Sequence, residues 1–348
     1  MAEQNWRVAR RASILSGLAL AFGAVSAGAQ QPPSTLATIK ARGIMACGVH
    51  TGIAGFAQPD DKGNWTGFDV DLCRAVATAV LGDPAKVRFV PTTPKERFTA
   101  LQSGEIDVLI RGTTWTSSRD ISLGLVFTGI TFYDGQGFMV KKALGVKSAK
   151  ELAGASICVQ TGTTTELNLA DYFKTNGMQF KPVVFEKADE VLTAFEAGRC
   201  DVYTNDSSAL AAQRIQLSRP DDNMVLPEII SKEPLGPSVR QGDFQWFTIV
   251  KWVHYARLVA EELGVTQANV EASKASANGE IKRLLGVEGE FGKPLGLDND
   301  WAAKVILAVG NYGEAFDKHL GGASRINIPR GVNRLWSQGG LQYAPPIR

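Results

Sequence analysis

Cysteine and histidine are scarce in this 348-residue chain, four of the first and three of the second. Cys47, Cys73, Cys158 and Cys200 form no C-x-x-C pair, and His50, His254 and His319 lie far apart in sequence, which argues against a structural metal centre. No serine stands in a G-x-S-x-G elbow and no lysine in a Walker-type loop, so nucleophilic and nucleotide chemistry lack their usual residues. No cofactor is expected. An excess of either charge is also missing, with 37 basic against 35 acidic residues. That balance gives no electrostatic case for nucleic acid or an anionic membrane surface. Residues 244–263 are apolar and aromatic but are interrupted by Lys251, His254 and Arg257, which makes a packing helix of them and not a membrane span.

What is present begins with a leader. Arg7, Arg10 and Arg11 precede an apolar stretch from Ile14 to Ala27, and Ala27-Gly28-Ala29 is an A-x-A site. Residues 1–29 therefore read as a secretory signal peptide cleaved before Gln30. Arg10-Arg11 raises a twin-arginine route, although its flanks fit that signal poorly. Cleavage removes three arginines and one glutamate and leaves 34 basic and 34 acidic residues. In an exported protein an even cysteine count points to disulfides. Pairing Cys47 with Cys73 and Cys158 with Cys200 keeps each bridge within one proposed domain, and each loop closure stabilises by about 3–4 kcal/mol. Buried free thiols are the alternative.

Along the chain, strand and helix alternate. "IMACGV" (44–49), "VRFV" (87–90) and "IDVLI" (106–110) read as strands. Between them lie a helix with Phe68, Leu72, Ala75, Val76, Ala79 and Val80 on one face, and a short one that Gly104 stops. The order restarts at residue 156 with "SICVQ", "VVF" and "CDVYT" as strands, a helix opening near Thr163 and another ending at Gly198. The letters repeat too. "FTALQSGEIDVLIRGTT" (98–114) and "LTAFEAGRCDVYTNDSS" (192–208) share Thr, Ala, Gly, Asp and Val at a constant offset of 94. Two similar α/β lobes with parallel sheets follow from this order.

Ligands of open parallel sheets bind beyond the carboxyl ends of the strands. There the first lobe carries Arg111, Gly112, Thr113 and Thr114, and the second carries Asn205, Asp206, Ser207 and Ser208. Facing lobes bring both polar patches to one cleft. A free amino acid offers a carboxylate and an ammonium about a residue's width apart. Arg119 supplies a fork for the first, Thr114 and backbone N–H groups near Thr113 and Thr164 add donors, and Asp206 accepts from the second. Three or four charge-assisted bonds of roughly 1.5–3 kcal/mol reach about −8 kcal/mol, a micromolar ligand. Each residue also has a duller role. Arg119 with Asp120 makes a surface pair, Asp206 an N-cap, and Thr163 with Glu166 a capping box. A capped helix N-terminus is still an anion site.

With these residues in hand, the chain resembles periplasmic solute-binding proteins, family 3, which serve ABC transporters for polar amino acids. The landmarks are "NWTGFDVDLCRAVA" (64–77), "FTALQSGEIDVL" (98–109), "GTTWTSSRD" (112–120), "VQTGTTTE" (159–166) and "CDVYTNDSS" (200–208). The versions "RGTTWT", "YDGQGF" and "GRCDVYT", with the C-terminal extension, look most like the general L-amino acid-binding branch. The resemblance implies a type II periplasmic binding protein, two α/β lobes, here 30–138 plus 238–348 and 139–237, joined by two hinge strands, and the connections near 138–141 and 230–238 are expected to be those strands. It implies a periplasmic monomer that closes over one free L-amino acid and docks on an inner-membrane permease. By position, Arg119 and Thr114 hold the carboxylate with Thr164 and the backbone at Gly112, and Asp206 holds the ammonium. His50 stands where basic-amino-acid binders of the family have an aspartate, and Ile53 where they have an aromatic. Arg97 and Arg111 toward the side-chain pocket favour glutamate, glutamine or aspartate. The rival from another class is a periplasmic enzyme on the same fold, a cyclohexadienyl dehydratase-like protein, for which the cleft lacks a general acid beyond the capped Glu166.

Overall fold

The computed structural model describes residues 34–348, so the leader expected over 1–29 lies outside the described residues. Strands β1 (Met45–His50), β4 (Val87–Thr92), β5 (Val108–Leu109) and β6 (Leu125–Phe127) belong to one sheet, with the small hairpin β2 (Gln58–Pro59) and β3 (Trp65–Thr66) set apart. Next come β7 (Phe132–Asp134) and β8 (Gln136–Lys141), then β9 (Ser156–Gln160), β10 (Lys181–Phe185), β11 (Val202–Asp206) and β12 (Asn223–Val225). The last two are β13 (Glu233–Leu235) and β14 (Ser238–Arg240).

The two five-stranded sheets repeat one plan, β4-β1-β5-β14-β6 and β10-β9-β11-β8-β12. In each, the first three strands pair in parallel, the fourth runs against them, and the fifth pairs antiparallel with the fourth and so runs with the first three. All six residues of β1 are buried, as expected of a strand covered on both faces. Helix Phe68–Leu81 lies against it and buries the six apolar positions read from its period. Disulfides join Cys47 to Cys73 and Cys158 to Cys200, with Cα separations of 6.1 and 5.7 Å. Each ties a central strand to a neighbouring element of its own lobe.

The lobes connect through β7 and β13, an antiparallel pair that matches Glu233 with Asp134 and Leu235 with Phe132. The first crossing falls at 132–134, ahead of the stretch 138–141 suggested by the sequence. Gln136–Lys141 is a strand of the second sheet, buried from Gln136 to Val140, so its apolar letters mark core and not hinge.

The C-terminal helices Phe244–Glu262, Trp301–Val309 and Tyr312–His319 share the core of the first lobe. Buried Asp71 ties the last of them to helix Phe68–Leu81, accepting from His319 Nε2 at 2.6 Å and Lys318 Nζ at 3.1 Å. The tail then returns to the crossing. The Asn333 amide accepts from Tyr133 N at 2.7 Å and donates to Tyr133 O at 3.0 Å.

Candidate functional site

The carboxyl ends of β1, β5, β9 and β11 converge on one cavity of about 50 Å3, lined by His50, Arg111, Gln160 and Asp206 at those ends. It extends to Arg97, Gly112, Thr114 and Thr164. Seven of the eight ligand-binding residues expected from sequence therefore meet there, and the eighth, Arg119, does not line it. Arg119 Nη1 donates to Thr114 O at 2.7 Å, and the rest of its fork carries no hydrogen bond to a described residue.

Arg97 opens helix Arg97–Ser103 and is buried, its Nη1 3.3 Å from Thr113 Oγ1 and its Nη2 3.5 Å from Gly162 O. That second contact crosses from one lobe to the other. Gly162 has φ +74°, a left-handed turn that suits glycine, and its N–H donates to Glu166 at 2.9 Å. Thr163 caps the helix Thr164–Thr175 by accepting from Glu166 N at 3.1 Å. The expected reciprocal half of that capping box is replaced: the Glu166 carboxylate takes Gly162 N and Thr161 Oγ1 because the turn presents them.

Arg111 is 4% exposed, its Nε has no partner, and it makes no hydrogen bond to another described residue. Burial pulls its pKa down to about 10, partly offset by the charge of Asp69. Asp69 is buried too and is pushed up to about 7 by burial, against the pull of Arg111. Burial first, and then Arg111 and Arg97, hold the His50 pKa well below its usual range. His50 Nδ1 accepts from Gly52 N at 3.0 Å, which leaves the proton on Nε2.

Asp206 ends β11 at the N-cap position of helix Ser207–Arg214, but its side chain makes no cap bond. The carboxylate bonds to no described residue and lines the cavity. Burial raises its pKa well above the ordinary value, with Asp134 and Glu233 adding to the rise and Arg97 and Arg119 opposing it. A charge left unbonded in so buried a place is costly unless a partner arrives.

Thr114 and Thr164 face each other with their hydroxyl oxygens 3.2 Å apart, so the cleft is closed here. Both hydroxyls donate to Glu233 Oε2, at 2.5 and 2.8 Å. Toward the cavity each therefore presents lone pairs, not the proton expected for a ligand carboxylate. Donors for that group remain at the backbone and on arginine. Sequence reasoning passed over Glu233 and Asp69; a lone acid inside a hinge segment, "SKEPLG", was the signal for the first.

Among the described residues no cluster of three or more His, Cys, Asp or Glu could hold a metal ion, and no helix is long and apolar enough to cross a membrane.

Two α/β lobes on a two-strand crossing, closing over a polar cavity, define the type II periplasmic binding protein class. The pattern described as "Bacterial extracellular solute-binding proteins, family 3" matches residues 45–168. The chain is 62% identical over 331 residues, covering 94% of it and 96% of the relative, to the "General L-amino acid-binding periplasmic protein AapJ" of Rhizobium johnstonii. It is 57% identical over 330 residues to the "Glutamate/glutamine/aspartate/asparagine-binding protein BztA" of Rhodobacter capsulatus, covering 94% of this chain and 97% of that one. Among solved structures, a Brucella ovis ABC transporter periplasmic binding protein "with glutathione bound" is 59% identical with TM-score 0.89, covering 91% of this chain and 100% of that one. The chain belongs to the bacterial extracellular solute-binding proteins, family 3.

Proposed function

We propose that this chain is the periplasmic substrate-binding component of an ABC importer for L-amino acids, with glutamate, glutamine and aspartate among its ligands. The observation that carries this reading is the pairing of Arg111 and Asp206. They have opposite charges, both line one cavity, and neither is bonded to another described residue. A zwitterion with an acidic side chain answers both. Asp206 takes the ammonium, Arg119 and the backbone at Gly112 and Thr164 take the α-carboxylate with Thr114 beside it, and Arg111, Arg97 and His50 face the side chain. The amino acids for which the Rhizobium and Rhodobacter relatives are named support that ligand class.

The two lobes pivot on the β7–β13 ribbon, and the ligand stabilises the closed state by contacts made only there. The monomer then delivers its ligand to an inner-membrane permease and performs no chemistry on it. A second reading has one observation behind it, the glutathione in the Brucella ovis structure. Glutathione carries the same α-carboxylate and α-ammonium at its γ-glutamyl end. The closed wall at Thr114 and Thr164 leaves only a small cavity, which favours a single amino acid over a tripeptide. Isothermal titration of the ligand-stripped chain from Gln30, against the twenty L-amino acids and glutathione, decides between them. Micromolar binding of acidic amino acids and their amides without turnover is expected, and silence across all of them overturns the proposal.

A further inference from the structure

Glu233 is the most heavily bonded side chain near the site, and no ligand role falls to it. It sits on β13 and is 1% exposed. Its Oε2 accepts from Thr114 Oγ1 at 2.5 Å and Thr164 Oγ1 at 2.8 Å. Its Oε1 accepts from Asn168 Nδ2 and Ser231 Oγ, both at 2.7 Å. A carboxylate has about four lone-pair sites, so this one is saturated. Its partners are split between the lobes. Thr114 follows β5 of the first sheet, whereas Thr164 and Asn168 belong to the helix that packs on the second. Glu233 itself rides on a crossing strand and is paired there with Asp134, which in turn accepts from Ser208 of the second lobe.

Separating the lobes must take either Thr114, or Thr164 and Asn168, away from Glu233. A buried carboxylate stripped of donors is costly until water reaches it. The bond count of Glu233 is thus tied to closure, and the group does not line the ligand cavity.

We propose that Glu233 is a positioning residue that latches the closed cleft: both lobes bond its one carboxylate only when closed, so it sets how long a ligand is held. The ligand readout of this proposal rests on the amino-acid-binding reading, while its conformational readout does not.

The test uses the mature chain with Glu233→Gln, Asn168→Ala and the double variant, each checked for folding by circular dichroism and melting temperature. Asn168 does not line the cavity, and its side-chain amide bonds Glu233, so its loss probes Glu233 without removing a ligand contact. Stopped-flow fluorescence with L-glutamate should show dissociation about tenfold faster in Glu233→Gln, association nearly unchanged, and a double variant no faster than the worse single one. Small-angle scattering without added ligand should show Glu233→Gln more open than the parent. A folded Glu233→Gln with unaltered dissociation and an unaltered scattering profile overturns the latch, as does strict additivity of the two substitutions. A purely structural Glu233 lowers the melting temperature and leaves dissociation alone. Should Glu233→Gln fail to fold, Asn168→Ala decides by the same two measurements. If the parent binds no amino acid the functional reading falls, and the scattering comparison alone judges the latch.

Discussion

Thr114 Oγ1 of the first lobe stands 3.2 Å from Thr164 Oγ1 of the second, and Glu233 Oε2 accepts a hydrogen bond from each. The threonines thus steady the closed wall, which in the proposed binding mode leaves the carboxylate to Arg119 and to backbone N–H groups. Arg119→Ala should weaken all L-amino acids to a similar degree, by about 2–5 kcal/mol, because every one of them has the α-carboxylate. Equal dissociation constants for the variant and the parent in isothermal titration would remove Arg119 from the site.

Arg111→Gln should behave differently. It removes a buried, unbonded cation from the side-chain end, so glutamate and aspartate lose about tenfold or more in affinity while glutamine loses less. Titration with the acid and amide pair reads the difference directly. A uniform loss across both would place Arg111 on the α-carboxylate.

Asp206→Asn tests the opposite pole. The amide keeps the shape but not the charge, and affinity for L-glutamate should fall by about 2–5 kcal/mol. An analogue without the ammonium group should lose far less. Similar losses for both compounds would mean that Asp206 acts on the fold and not on the ligand.

Asp71 gives a pH test of the C-terminal docking. Burial pushes its carboxyl up, but the bond from His319 and the charges of His319, Lys318 and Arg257 prevail and hold it at about 2. Its stabilisation is therefore complete above about pH 4 and disappears as pH falls through 2, an amount of about 2 kcal/mol. Urea unfolding at pH 6 and pH 2 should separate the parent from Asp71→Asn at the first pH and bring them together at the second. A gap that persists at pH 2 contradicts the ionic account.

The Cys158–Cys200 bridge spans 42 residues. Replacing both cysteines by alanine should lower unfolding free energy by about 4 kcal/mol on the chain-entropy model. An unmoved urea midpoint would show that the second lobe holds its shape without it.

The strand plan was legible because each sheet is written locally, as a run, a helix and a run, and because residues 98–114 repeat at 192–208. Asp206 was found through that repeat. Glu233 was not, since its strand has three residues, one of them proline, and its partners Thr114, Thr164 and Asn168 lie 119, 69 and 65 positions away. Nor do letters tell where a hydroxyl sends its proton. Thr114 lines the cavity, yet its donor is spent on a neighbour that only the folded chain brings near. The first crossing was misplaced for a related reason: "FMV" has the look of a strand wherever it runs, and which sheet it joins depends on partners such as Tyr203 and Met224.

The ribbon at the crossing has a further property. Asn333 fills both backbone groups of Tyr133 on one outer edge, and on the other Thr114 bridges to Leu235 while Trp115 N donates to Pro234 O at 2.8 Å. Short strands with vacant rungs are templates on which foreign chains can polymerise. Here the amide of one tail residue serves as a third strand, and the part of the molecule that must flex most offers strangers nowhere to zip on.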